Sequence, residues 1–416
     1  MAALVVVALA ATACSLPAPS STGAGPDDVV WAVGGSAAAP GGVYEQMTKM
    51  YTDQDSSRPK VQLVRLPDAA DLQREQMAYE LQAQSSTFDI LGLDVIWTGE
   101  FAVNEWIIPI EDRRGDLEGT VLDSALQSAE HQEELWGAPV TTNAGFLYYR
   151  TDLVDQPPKT WDELAQIVKD VTSNNDIGGY VGQGFQYEGL VVNYLEYVWG
   201  AGGDLVNDDG SQSALTQNDA GTKALEFMQR AQSEGIYAPG FNTMKEEEGR
   251  NVFQSGNAVF MRNWPYAYAL MQGGDEENPT KVKGKFDIAP LPTFDGQGTV
   301  SSLGGFNLAI NAFSEKQEQA KDFIVWAATD KDAQKLLAEN ATPPVRQDVY
   351  DELQDDPVMK LLGEVLPQSK PRPPVPAYNF LSQEIQQTVF PAYNGGNSPG
   401  ETISGLNSEI NSELEG

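Results

Sequence analysis

The sequence predicts an α/β protein built as two domains, and three observations carry that prediction. At 416 residues the chain exceeds what one ordinary core accommodates. Short apolar runs alternate with amphipathic helical patterns along its length. One of those runs, residues 88–97, is nearly continuous in apolar side chains, the mark of a strand covered on both faces. Hydrophobic residues at 41% and aromatics at 9% suffice to fill two cores, so a globally disordered chain is excluded.

The elements follow in order. Residues 29–33 read as a strand, after which Val43, Met47, Met50 and Tyr51 fall on one helical face. Residues 61–66 form the next strand, 72–83 the next helix and 88–97 the third strand. That alternation is a βαβ pattern, which implies a parallel sheet with right-handed crossovers. Residues 136–149 read as one further extended stretch. Thr160 and Glu163 make a capping box that opens a helix with Trp161, Leu164, Val168 and Val171 on one face. Ser314 and Gln317 predict the same device before a helix carrying Ala320, Phe323, Ile324 and Ala327. Between them lie helical 189–199, helical 219–234 and the segment 250–258, with strands at 286–292 and 307–310. From Asp348 the chain is mostly helical, punctuated by prolines over 371–376.

Composition removes several function classes. The formal charge of −34, from 60 acidic against 26 basic residues, opposes a nucleic-acid partner, because phosphate backbones require clustered Lys and Arg. Such acidity reads most simply as a solvated, self-repelling surface. A single cysteine excludes internal disulfides and Cys-rich zinc sites. The single histidine, His131, sits in the polar stretch 128–134 and reads as an exposed side chain rather than a catalytic base. No G-x-x-x-x-G-K-[ST] loop is present, and no cofactor or metal is expected.

The N-terminus reads as an address. Residues 2–13 are apolar and small and end in Ala11-Thr12-Ala13-Cys14, a run of about 12 residues that is too short for a permanent span. The run resembles a bacterial lipobox, although Ala11 stands where such motifs usually have Leu and no Lys or Arg precedes it. The resemblance implies a signal peptide at 1–13, lipidation of Cys14 and anchoring to the outer face of the cell membrane. Residues 14–26, rich in Ser, Pro, Gly and Ala, then read as a flexible tether.

Further motifs appear in an order that resembles the maltose- and trehalose-binding proteins of bacterial ABC importers. They are Phe88-Asp89-Ile90 with Asp94 and Trp97, then Leu135-Trp136-Gly137-Ala138-Pro139 leading to Asn143 and Leu147-Tyr148-Tyr149-Arg150. Pro157-Pro158-Lys159-Thr160-Trp161, the segment Phe253 to Pro265, Ala289-Pro290-Leu291-Pro292 and Leu303-Gly304-Gly305-Phe306-Asn307 follow. The set covers essentially all of the chain from Val29. Glu188-Gly189-Leu190-Val191-Val192 and Glu247-Glu248-Gly249-Arg250 with Asn263-Trp264 look most like the mycobacterial trehalose-binding lipoproteins. The resemblance implies a two-lobed periplasmic-binding-protein (flytrap) fold with mixed, largely parallel sheets flanked by helices. It places lobe one at 27–143 plus 289–342 and lobe two at 144–288 plus 343–416. It also implies a monomer that captures a disaccharide, trehalose or another α-glucoside such as maltose, and passes it to membrane permease subunits.

A sugar site needs fixed carboxylates and amides for hydroxyls and aromatic rings for the pyranose face. Asp94 follows the buried strand at its carboxyl end, where α/β sheets bind ligands, with a cap of the turn that follows as the alternative. Asn143 lies at the expected first crossing, with a plain turn as the alternative. Trp264 and Tyr266 flank Pro265 and suit a stacking platform, whereas Tyr268 reads as core. Glu246 belongs to an acidic run that would ordinarily be a solvated face, and the resemblance alone makes it a ligand residue. Gly304 and Gly305 would let backbone approach a ligand, or merely form a turn. Arg372, held among prolines, could reach hydroxyls or pair with a cleft acid, with Tyr378 on the same wall and Gln73 and Arg74 as weaker lobe-one contacts. No residue is assigned a catalytic role. Two rival classes are an exported glycosidase using paired carboxylates and a surface recognition lipoprotein without transport.

Overall fold

The computed structural model describes residue 25, residues 27–273, 279–373 and 375–415. The expected signal peptide, Cys14 and the tether, Gly25 excepted, lie outside those residues.

The chain first builds one sheet by the expected alternation. In β1 (Val29–Val33) all five side chains are buried, as Val-Val-Trp-Ala-Val requires of a strand covered on both faces. Helix α1 (Val43–Gln54) buries Val43, Tyr44, Met47 and Tyr51 against that sheet. Strand β2 (Val61–Arg65) pairs parallel to β1, α2 (Ala70–Gln82) crosses over, and β3 (Ile90–Asp94) pairs parallel to β1 on its other side. β3 ends before the apolar run does. The Asp94 carboxylate accepts the Ile96 N–H at 3.2 Å and turns the chain into a short 3₁₀ segment, Val95–Trp97.

The extended stretch 136–149 is two strands in two sheets. β4 (Ala138–Ala144) stays in the first sheet, while β5 (Phe146–Arg150) opens the second. They part at Gly145, where a Cβ would stand 2.4 Å from the Arg262 guanidinium. In lobe two, α3 (Trp161–Thr172) starts on the predicted capping box, Glu163 N–H donating to Thr160 Oγ1 at 3.0 Å and Thr160 N–H to Glu163 Oε2 at 3.2 Å. Then come β6 (Gly178–Val181), α4 (Glu188–Gly200), α5 (Ala220–Ser233), α6 (Glu246–Gln254), β7 (Ala258–Asn263), α7 (Tyr266–Gly273) and β8 (Phe286–Ala289). The second sheet runs β8-β5-β7-β6. Helix α4 is buried on every side from Glu188 to Trp199, so it runs through the lobe rather than over it.

The chain then returns to the first sheet as the ten-residue β9 (Ser302–Asn311), antiparallel to both β3 and β4. This corrects the expectation of largely parallel sheets. β3 ends at the cleft and β9 starts there, so a chain re-entering from the other lobe has to run the opposite way. Helices α8 (Gln317–Thr329) and α9 (Lys331–Glu339) complete this face. The capping box expected at Ser314 and Gln317 is absent. The Ser314 hydroxyl instead donates to the buried Asp89 carboxylate at 2.6 Å, and α8 begins without a side-chain cap.

Helix α10 (Pro357–Val365), capped by Asp356, packs Val358, Met359 and Leu362 into the cluster that holds Tyr148, Met261 and Phe286. The two-residue β10 (Lys370–Pro371) pairs parallel with the start of β9, so this part of the tail joins the first sheet. Finally α11 (Tyr378–Tyr393) and α12 (Pro399–Leu414) pack with α4 and α5.

Candidate functional site

Between the lobes lies a cavity of about 620 Å³ whose wall includes Asp94, Asn143, Glu246, Trp264, Tyr266, Gly304, Gly305 and Arg372 together. The first sheet contributes its cleft edge: Asp94 ends β3, Asn143 lies near the end of β4, and the two glycines lie at the start of β9. Gly305 has φ +138°, and a Cβ there would stand 2.3 Å from the Thr141 carbonyl oxygen, so this turn of the wall requires glycine. A Cβ at Gly304 would press on the Trp264 ring at 3.2 Å.

Asp94 lines the cavity and also caps the turn that follows it. Besides capping the Val95–Trp97 turn, its carboxylate accepts Arg372 Nη2–H at 2.7 Å. Arg372 is 2% exposed and donates through Nη1 to Glu188 Oε1, also at 2.7 Å. Glu188, the first residue of α4, further accepts from the hydroxyls of Tyr378 at 2.6 Å and Ser382 at 2.5 Å. Burial pushes the Glu188 carboxyl above its ordinary value, although Arg372 and the two hydroxyls hold it down. One guanidinium therefore joins the first sheet to a helix of the second lobe.

Of the acidic run at 246–248 only Glu248 is exposed, while Glu246 and Glu247 are half-buried. Glu246 starts α6, turns into the cavity and accepts the Tyr187 hydroxyl at 2.7 Å. Burial raises its pKa against that hydrogen bond. Glu247 accepts the Tyr266 hydroxyl at 2.6 Å and Arg250 Nε–H at 3.0 Å, and Glu248 accepts the Lys245 N–H at 3.1 Å. The Trp264 ring lies over the Arg262 guanidinium, 4.0 Å from ring centroid to guanidinium carbon.

Three polar atoms of the cavity-lining residues are buried without a partner among the described residues: Gln73 Oε1, Asn143 Oδ1 and Arg372 Nε. Unpaired buried acceptors and donors are costly and rare. All three belong to residues of the cavity wall.

Several candidates lie elsewhere. Arg74 pairs with Glu100 and takes no part in the wall. Tyr378 stands behind Glu188, and Tyr268 packs on Phe286 with ring centroids 5.3 Å apart, as a core residue should. His131 is half-buried rather than exposed, because the hairpin carrying it packs beside Gly99. Glu188, Tyr187 and Arg262 were not singled out from the sequence as site residues. Glu188 did leave a signal, as an acid at the head of a mostly apolar helix.

Comparison with known proteins agrees with this architecture. The pattern of the bacterial extracellular solute-binding proteins matches residues 37–334. The chain belongs to that family. A probable ABC transporter-binding protein of Deinococcus radiodurans is 31% identical over 372 residues, covering 84% of this chain and 86% of its own length. Among solved structures, maltose-bound MalE3 of T. maritima is 33% identical with a TM-score of 0.85, covering 93% of this chain and 99% of that one. A solute-binding protein of Thermotoga lettingae bound with alpha-D-tagatose is 25% identical with a TM-score of 0.84, covering 93% and 100%. Like them, this solute-binding protein has two lobes with mixed sheets, and its family is one of extracytoplasmic proteins.

Proposed function

We propose that this solute-binding protein is the sugar-capturing component of an ABC importer, taking a disaccharide between its lobes. One observation carries the reading: the Trp264 ring, the carboxylates of Asp94 and Glu246 and the amide side chains of Gln73 and Asn143 line the same interlobe cavity. A hydroxyl donates and accepts at once, so a polyol suits a wall that mixes carboxylates, amides and a guanidinium. The Trp264 ring supplies the face on which a pyranose stacks. Asp94, Glu246, Tyr266 and the Gly304-Gly305 backbone complete the wall. The similar structures are bound to maltose and to alpha-D-tagatose, which supports a carbohydrate ligand here.

Contacts to both lobes make ligand affinity higher in the closed state, and only such a difference can shift the equilibrium toward closure. The closed form would then dock on membrane permease subunits as a monomer. Sheet membership supports lobe bounds near 27–143 plus 289–342 and 144–288 plus 343–416, with Lys370 and Pro371 returning to the first sheet. Lipidation of Cys14 would keep the binder beside its permease.

Calorimetry against trehalose, maltose, single sugars, peptides and polyamines tests the ligand class. Binding of an α-glucoside disaccharide is expected, with trehalose the leading member. Binding of a peptide or polyamine alone, or release of monosaccharide during incubation, overturns the reading. Cys14→Ser should release the expressed protein from the membrane fraction, and retention would refute the anchor.

A further inference from the structure

Beneath the cleft lies a buried charge that does not line the cavity. Arg262 on β7 and Glu196 on α4 are 0% and 3% exposed. Arg262 donates through Nε and Nη2 to the two Glu196 oxygens at 2.9 and 2.5 Å, and through Nη1 to Gln183 Oε1 at 3.2 Å. Replacing such a buried pair by apolar side chains is often neutral or stabilising, so stability is a poor reason for having it.

Its neighbours suggest another. Glu196 Oε1 also accepts the Ser301 hydroxyl at 3.2 Å and the Ser302 N–H at 3.1 Å. Ser301 Oγ in turn accepts the Gly145 N–H at 2.6 Å. Gly145 joins β4 to β5, and Ser301 and Ser302 end the return from β8 to β9. Both are places where the chain passes from one sheet to the other. The same guanidinium carries the Trp264 ring. One charged group is thus held against two interlobe crossings on one side and the aromatic platform on the other.

We propose that Arg262 is a positioning residue that couples the tilt of the Trp264 ring to the hinge, with Glu196 as the link to both crossings. When the crossings turn, the carboxylate they hold moves, and the two-pronged guanidinium transmits that movement to the ring lying on it. Conversely, a sugar face stacked on Trp264 fixes the guanidinium and with it the hinge. The sugar part of this inference rests on the proposed function. The ring and hinge part does not.

The test uses Arg262→Lys, Arg262→Met and Glu196→Gln in the full chain, with Trp264→Phe as reference. Without ligand, the emission of Trp264 is read as the difference between each protein and its Trp264→Phe counterpart. The open or closed state is read as the radius of gyration in solution scattering. A shift of Trp264 emission is expected in all three variants, including Arg262→Lys, which keeps the charge but not the planar fork. With disaccharide, Arg262→Met should lose about tenfold or more in affinity and should not compact fully at saturation. Its loss should be non-additive with that of Trp264→Phe. Unchanged ring emission in Arg262→Lys and Glu196→Gln, or strict additivity with full compaction, overturns the proposal. If Arg262→Met fails to fold, the Lys and Gln variants carry the same test. If the wild-type protein binds no sugar, the function proposed above fails, and the ligand-free emission and scattering still decide the role of Arg262.

Discussion

The two walls of the cleft are made of different material. The first lobe presents strand ends: Asp94 closing β3, Asn143 near the end of β4, and Gly304 and Gly305 at the start of β9. The second presents helix starts, since Glu188, Glu246 and Tyr266 are the first residues of α4, α6 and α7. A strand-end wall is largely backbone, positioned by the sheet itself. A helix-start wall is side chain, with acids set at the positive end of the helix dipole. The difference predicts how each wall fails: damage to the first should cost folding, and damage to the second should cost binding.

Arg372 lines the cavity between the two walls and pairs with an acid from each, Asp94 and Glu188. Arg372→Met should therefore have the largest effect. It strands two carboxylates where they are partly or fully buried, at a cost of about 3–5 kcal/mol in stability. Denaturant melts measure this, and a loss below about 1 kcal/mol would mean that the two acids find other partners. The double variant Arg372→Met with Glu188→Gln should recover part of the stability but not the sugar affinity.

Trp264→Ala and Gly305→Ala then set the walls against each other. Trp264→Ala should reduce disaccharide affinity by about a hundredfold, the scale of a central aromatic anchor, while the protein still melts cooperatively. Unchanged affinity would remove this ring from the site. Gly305→Ala should do the reverse. A Cβ at φ +138° and 2.3 Å from the Thr141 carbonyl forces the wall open and should cost about 2 kcal/mol of stability. If Gly305→Ala is as stable as wild type, the first wall is not the rigid one.

How far these walls were legible in the sequence follows from the same contrast. The strand-end wall was readable because the apolar runs of the first lobe alternate cleanly with helices, and ligands collect at the carboxyl ends of strands. Even so, the break at Gly145 was hidden, since apolar residues flank it on both sides and only the Arg262 guanidinium explains the glycine. The helix-start wall was less legible. Glu246 looked like one acid in a solvated run until α6 was seen to begin on it. Glu188 could not be understood locally at all, because its partners Arg372, Tyr378 and Ser382 lie 184 to 194 residues further along. Arg262, beside the conspicuous Trp264, was silent for the same reason: its meaning lies in its bonds to Gln183 and Glu196 and its close approach to Gly145.

The smallest expected effect concerns the place where the walls touch. Asp71 on α2 accepts the N–H of Glu188 at 3.3 Å, so a carboxylate of the first lobe sits on a helix start of the second. Burial and then the Glu188 charge push Asp71 up from 3.8 to about 6, with Glu75 adding to the rise and the Glu188 N–H and Gln386 opposing it. Arg372, Tyr378 and Ser382 face Glu188 from the other side. When the lobes part, Asp71 meets water and returns toward its ordinary value, so the closed state holds the proton more tightly than the open one. A raised pKa in the closed state means that its contribution to closure is fully present below about pH 4 and is lost as pH rises through about 6. Ligand affinity should therefore fall between pH 4.5 and pH 7.5, by about tenfold once solvent screening is allowed for. Calorimetry at pH 5 should show proton uptake on binding. Asp71→Asn should flatten the profile, and an affinity that instead rises with pH in the wild type would mean that Asp71 does not lie across the closing interface.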